Sequence, residues 1–213
     1  MKITSIQKQQ KAKARYNIHV DGEFAFGLYK DTITDFGLRV NDELSEKQLS
    51  EIKESDEFIF GKKTAFEFLA YKARSKKEVC DKLRSKKISE KSIIRIIDYL
   101  EELKYIDDKA YIKSYLDSVQ SGKPSGKKML IHKLQKKGID KELAEAFLYG
   151  YLNDNAEYDN AKMLLHKYFP KIKQKDFYEI KKKCFSYLIS RGFDYDTINL
   201  LWNSEFENVI KKI

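Results

Sequence analysis

Proline occurs only twice in 213 residues and glycine nine times. With so few helix breakers, and with Lys, Glu, Leu and Ile abundant, the composition favours helices. Cysteine is limited to Cys80 and Cys184. Both fall on apolar positions of helical patterns, so they are expected to be buried free thiols of a reducing, cytoplasmic compartment. Long apolar runs are missing too: none approaches the roughly 20 residues that cross a bilayer. The opening MKITSIQKQQKAK lacks an apolar core, so no signal peptide is expected. His19, His132 and His166 stand alone, and no His-x-x-x-His or Cys-x-x-Cys spacing offers a metal site. No Gly-x-x-x-x-Gly-Lys-Ser/Thr or Gly-x-Ser-x-Gly motif is present. No cofactor, metal or catalytic centre is therefore expected, and the chain is read as a non-enzyme.

What is present is enough for a core and a basic surface. Apolar residues make up 42% and aromatics 13%, against 35% charged, which argues against disorder. The net charge of +9 is unevenly spread. Residues 1–60 carry 9 basic and 11 acidic side chains, whereas 61–104 carry 13 and 7, 105–153 carry 9 and 6, and 154–213 carry 11 and 9. A basic body behind a slightly acidic start suits an anionic partner, while the plainer alternative is a solvated lysine-rich surface.

Residues 1–60 read as a small β-rich module. Tyr16, Ile18 and Val20 alternate with polar residues, Asp21-Gly22 supplies a hairpin turn, and Phe24, Phe26 and Leu28 continue the period of two. ITSIQKQQ can add a strand. A short helix is expected over 31–39, with Asp31 as N-cap and Gly37 as its stop, and another helix from Ser45.

The remainder repeats. When Leu83, Leu134 and Leu188 are aligned, five further columns are apolar or small: Val79/Leu130/Cys184, Ile88/Ile139/Phe193, Ile93/Ala144/Ile198, Ile96/Phe147/Leu201 and Ile97/Leu148/Trp202. The offsets are 51 and 54 residues. Each unit predicts three helices. The first lies near 61–73, 107–121 or 154–168; the second stops at Lys87, Gly138 or Gly192; and Ser89, Asp140 or Asp194 caps the third. The expected fold is mainly α: tandem three-helix repeats over 61–104, 105–153 and 154–213 that stack into an elongated, curved solenoid behind the β-rich module.

Cations recur in the same frame. Lys76, Lys127 and Lys181 match, as do Lys77, Lys128 and Lys182, and Lys86, Lys137 and Arg191; Lys82 and Lys133 match with Tyr187 breaking the series. These eleven are the candidate partner- or DNA-contacting side chains. At 100° per residue, Lys77 and Lys128 point away from the core stripe, and the others flank it. Asp107-Asp108 is better read as a helix cap than as a metal or acid–base pair. Tyr105, Tyr111, Tyr115, Tyr149, Tyr151, Tyr158 and Tyr168 are either stacking surfaces or, more simply, interhelix packing. Trp202 belongs to the core.

SKKEVCDKL from Ser75, LEELKYIDDKAYIKSYL from Leu100, KLQKKGID from Lys133 and SYLISRGFDYDTI from Ser186 together resemble the RecX family. Tyr-Ile-Asp-Asp at 105–108 followed by Tyr111 is the most specific piece, and the likeness covers about 61–206. The β-rich start is similar to that of longer members from low-GC Gram-positive bacteria. Lys87 stands where the other units have Gly, and Gly122-Lys123-Pro124-Ser125-Gly126 matches the family's turn loosely. The resemblance implies a regulator that binds RecA filaments on single-stranded DNA, with possible phosphate contacts of its own. It would restrain filament growth or promote disassembly, and so damp strand exchange and the SOS response. A monomer without membrane association is expected. The competing reading is a sequence-independent DNA-binding protein built of helix–turn–helix-like units. The Arg, Asn and Gln set that reads bases is scarce, and lysine points to phosphates.

Overall fold

The computed structural model describes residues 1–10, 14–120, 124–152, 154–173 and 176–206. The protein is mostly helical, with a small sheet at its start, and divides into two compact units, Met1–Ile106 and Asp107–Ile213. Among the described residues no helix is long and apolar enough to cross a membrane.

In the first unit β1 (Ile3–Lys8), β2 (Arg15–Val20) and β3 (Glu23–Tyr29) form an antiparallel sheet in the order β1-β2-β3. Asp21 and Gly22 turn the hairpin with φ of 52° and 93°, the two left-handed residues that this tight connection demands. Ile3, Ile18 and Leu28 bury one face against Leu38, Leu44 and Ile52. The short helix α1 (Lys30–Asp35) starts directly from β3. Its N-cap is Tyr29 rather than the expected Asp31. The capping acceptor comes from elsewhere: buried Asp56 accepts the Tyr29 N–H at 2.6 Å and the Thr32 hydroxyl at 2.8 Å. The Arg15 guanidinium lies 3.4 Å from the other Asp56 oxygen.

Asp56 sits on α2 (Glu46–Leu69), whose start is a capping box between Ser45 and Gln48. Two helices are expected here, one from Ser45 and one near 61–73. A single helix of 24 residues runs through instead, so the expected boundary at residue 60 lies inside it. At 1.5 Å per residue it is about 36 Å long, enough to serve two cores. Ile52 packs under the sheet, and Ala65 packs into the first helical triplet. Gly61 in mid-helix interrupts nothing. A Cβ there would lie 2.2 Å from Ile96 Cδ1, so its absence lets the next helices approach.

The first triplet is the end of α2, α3 (Lys76–Ser85) and α4 (Glu90–Glu102). In the second unit, α5 (Asp108–Gln120), α6 (Lys127–Lys136) and α7 (Lys141–Tyr151) form the second triplet. The third is α8 (Asp154–Tyr168), α9 (Phe177–Ser190) and α10 (Tyr195–Leu201), continued by a π-helical turn at Trp202–Phe206. Every aligned core position is buried except Phe147, which is half-buried. Trp202 is fully buried among Phe177, Phe185 and Phe206. Cys184 is buried, and burial pushes its thiol up to about 12. Cys80 is only half-buried, contrary to expectation, because it stands one residue aside from the core position Val79.

The turn between second and third helices has one form in all three triplets. Lys87, Gly138 and Gly192 take φ of 61°, 85° and 86°. The following residue donates its N–H back to the aligned leucine: Ile88 to Leu83 at 3.3 Å, Ile139 to Leu134 at 3.1 Å and Phe193 to Leu188 at 3.2 Å. These are Schellman closures, with the apolar residue folded over the helix end. Ser89, Asp140 and Asp194 then cap the third helices by accepting the N–H of Ser92, Leu143 and Thr197.

Candidate interaction surface

The four cation columns meet different fates. The first is drawn into structure in every triplet. Lys76 opens α3 and pairs with Glu101 at 2.9 Å, and the hydrogen bond to that carboxylate holds the ammonium above its ordinary pKa. Lys127 opens α6 and pairs with Glu157 at 3.1 Å. Glu157 is only 2% exposed, and it also accepts the Lys127 backbone N–H at 3.0 Å. Lys181 lies over the rings of Phe185 and Trp202 at 5.4 and 5.8 Å. It is not a helix start, because α9 begins four residues earlier, capped by Asp176.

The second column is the one that faces out. Lys77, Lys128 and Lys182 are all exposed. The third column, Lys86, Lys137 and Arg191, supplies the C-cap residue of α3, α6 and α9, where a cation complements the negative end of the helix. Arg191 also covers the Tyr187 ring at 5.3 Å. Burial raises the Tyr115 phenol pKa, and the charge of Lys137 partly offsets that. In the fourth column Lys82 lies 5.5 Å over Phe68. Half-buried Lys133 donates to Ser125 at 3.4 Å. Tyr187 stacks on Tyr168 at 4.0 Å.

Among the described residues, two of the clefts that combine cations with rings involve the aligned columns. In the first unit Lys82 and Lys86 line a cleft of about 320 Å³ with Phe60, Phe68 and Tyr71. In the second, Lys182 and Lys183 flank the Tyr168–Tyr187 stack. Most of the other tyrosines are packing residues. Tyr111 is buried beside Tyr115, the Tyr151 hydroxyl meets Asp117 at 2.5 Å, and that of Tyr158 meets Ser204 at 2.8 Å. Tyr149 and Tyr105 remain exposed. Asp107 is a cap: it accepts the N–H of Lys109 at 2.8 Å and of Ala110 at 3.1 Å. The loosely matching turn is described only from Pro124 onward, since residues 121–123 lie outside the described range.

Sequence reasoning passes over the joint between the second and third triplets. The Gly126 N–H donates to the Arg191 carbonyl at 2.9 Å and the Lys128 N–H to the Gly192 carbonyl at 3.1 Å. A Cβ on Gly126 would lie 2.3 Å from the Gly192 oxygen, so only glycine permits this backbone contact. One signal was available: Glu157 precedes Ala161 and Leu165 at intervals of four, an acid on a buried helical stripe.

Four family models match the chain in order: the N-terminal domain of regulatory protein RecX over residues 1–45, and its first, second and third three-helix domains over 62–100, 107–148 and 155–201. The regulatory protein RecX of Staphylococcus aureus strain Newman is 32% identical over 202 residues, covering 95% of this chain and 74% of that protein. A crystal structure of regulatory protein RecX superposes with a TM-score of 0.76 at 26% identity, over 95% of this chain and 99% of that one. RecX from Lactobacillus salivarius gives 0.65 at 31% identity, over 75% and 99%. A sheet module and three helical triplets matched in sequence order, with close relatives in both sequence and structure, make this chain a member of the RecX family of regulatory proteins.

Proposed function

We propose that this chain is a non-enzymatic regulator that binds RecA filaments on single-stranded DNA. Its main effect is to inhibit filament growth, ATPase and strand exchange, and thereby to influence recombinational repair and the SOS response. Membership of a regulatory family supports the class. The observation that carries the reading is the second cation column: one lysine per triplet, Lys77, Lys128 and Lys182, exposed at the same helical register. Three weak anion contacts on one chain act with a high effective concentration toward a repeating polymer, so their joint affinity far exceeds that of any one. Direct phosphate binding adds to the grip, since each neutralised phosphate releases counterions.

The test is RecA ATPase and strand exchange on single-stranded DNA, with and without the protein, followed by joint charge reversal of Lys77, Lys128 and Lys182. Inhibition should weaken with the circular dichroism spectrum unchanged; full inhibition by the triple variant removes those side chains from the mechanism. Sequence-independent DNA binding is the second reading, favoured by lysine in place of base-reading residues. A salt series separates the two. Pure phosphate binding to single strands loses roughly 0.7 decades of affinity per contact for each decade of salt, whereas a protein-held complex retains more.

A further inference from the structure

One groove is filled in two triplets and open in the third. Ala65, Leu116 and Leu165 occupy the same buried place in the first helices of the three triplets. Seven residues before each stand Phe58, Lys109 and Tyr158, and three before each stand Lys62, Lys113 and Lys162. On the third helices the facing positions are Tyr99, Gly150 and Ser204.

In the first triplet, Phe58 packs edge-on against Tyr99 at 6.2 Å, and Lys62 covers both rings at 4.7 and 5.0 Å. In the third triplet, the Tyr158 hydroxyl reaches Ser204 at 2.8 Å and Lys162 pairs with Glu205. Each of these triplets thus places an aromatic ring between its first and third helices and gives the nearby lysine a partner.

The second triplet has no ring at this matched position, although Tyr151 of α7 reaches Asp117 of α5 beside it. Lys109 replaces the ring and Gly150 faces it, leaving an open groove of about 520 Å³ along α7. Leu143, Ala146, Phe147, Gly150 and Tyr151 line the apolar side, with Lys109 and Lys113 on the rim. Neither lysine has a carboxylate within ion-pair distance among the described residues. Their like charges stand one helical turn apart on α5 and repel each other. Gly150 has nothing within 4 Å of its Cβ position, so packing does not require glycine there.

We infer that this groove is a docking site for an aromatic side chain flanked by a carboxylate, presented by the recombinase protein of the filament. The ring takes the place that Phe58 and Tyr158 hold in the sister triplets. The carboxylate meets Lys109 and Lys113, as Glu205 meets Lys162. This rests on the filament reading above and deepens it, because it assigns this groove of the second triplet to protein rather than DNA.

The experiment fills the groove from within. Gly150→Tyr, alone and with Lys109→Phe, rebuilds the arrangement of the first triplet; Lys113→Glu reverses the rim without touching the packing. Binding of each variant and of the parent chain is measured on RecA–single-stranded DNA filaments and on bare single-stranded DNA, with thermal unfolding alongside. The filled variants should lose about tenfold or more on filaments, the scale of one aromatic anchor, with no loss on bare DNA. Lys113→Glu should weaken filament binding in the same direction, and it decides the matter if the filled variants unfold. Undiminished filament binding by the folded variants overturns the groove assignment and leaves the filament reading standing. Equal losses on bare DNA overturn it in favour of a nucleic-acid contact. A parent chain that ignores filaments overturns both.

Discussion

The second helices of the first and second triplets begin with the same residue pair, Lys-Lys, and are held in opposite ways. In the first triplet the start carries a capping box of its own. Ser75 and Glu78 form a reciprocal capping box, and Lys76 makes a surface pair with Glu101. In the second, Gly126 stands at the cap and offers no side chain. Glu157, from the first helix of the following triplet, supplies the acceptor and the counter-charge together. One helix start thus has a capping box within its own first turn, and the other takes its side-chain acceptor from the next repeat. Equivalent residues in a repeat protein share a register without sharing a function. Lys127 is spent on structure, while its neighbour Lys128 stays exposed.

The widest test of this contrast is at the turns. Gly192→Ala puts a methyl group 2.3 Å from the Met129 nitrogen on a backbone with φ of 86°. The second unit should lose about 3 kcal/mol or more, from left-handed strain and overpacking together. Lys87→Ala, at a turn that already tolerates a side chain with φ of 61°, should change little. Denaturant unfolding followed by circular dichroism measures both. A loss at Gly192 of no more than about 1–2 kcal/mol above that at Lys87 would mean that the joint adds nothing beyond backbone preference.

Next in size is the pair of carboxylates. Glu157→Ala leaves the Lys127 ammonium, on a side chain 24% exposed, without its buried partner, and should cost about 2–3 kcal/mol. Glu101→Ala removes a pair whose side chains are 46% and 40% exposed, and should cost about 1 kcal/mol or less. The difference in unfolding midpoint sharpens the comparison, and its reversal would break it.

The smallest effect concerns acid. The first unit has a helix start of intermediate kind: Glu57 of α2 accepts the Ser89 N–H at 3.0 Å and both the Ser89 and Ser92 hydroxyls at 2.5 Å. Burial works to raise its pKa, but these hydrogen bonds prevail and hold it below the ordinary 4.5. Because the folded value is the lower one, the stabilisation is fully present above the ordinary value and is lost as pH falls through the folded one. Unfolding monitored from pH 6 to 3 should show this loss, and Glu57→Gln should flatten it.

Much of the fold is legible because its signals are local. Asp21-Gly22 can only turn a hairpin, the six aligned columns carry the core, and Ser89, Asp140 and Asp194 cap where their spacing places them. The unbroken α2 was hidden because the helix signal from Ser45 and the first helix of the repeat near 61–73 read as two elements, and the close approach of Ile96 at Gly61 is visible only in three dimensions. The early start of α9 was hidden because the alignment was anchored on the helix end. In the candidate surface, the register of Lys77, Lys128 and Lys182 is readable from helical geometry alone. That Lys127 is consumed by Glu157, or that Lys133 leans on Ser125, depends on neighbours that sequence spacing does not bring together.

By itself, then, the amino-acid order determined the sheet module, the three-helix period, the core columns and the helix caps, since each depends on contacts within a few residues along the chain. Only the tertiary structure decided which matched cations are drawn into pairs, where one triplet locks on another, and which groove is left open. Those outcomes depend on the element that arrives from a distance, and on whether it carries a ring, a carboxylate or nothing.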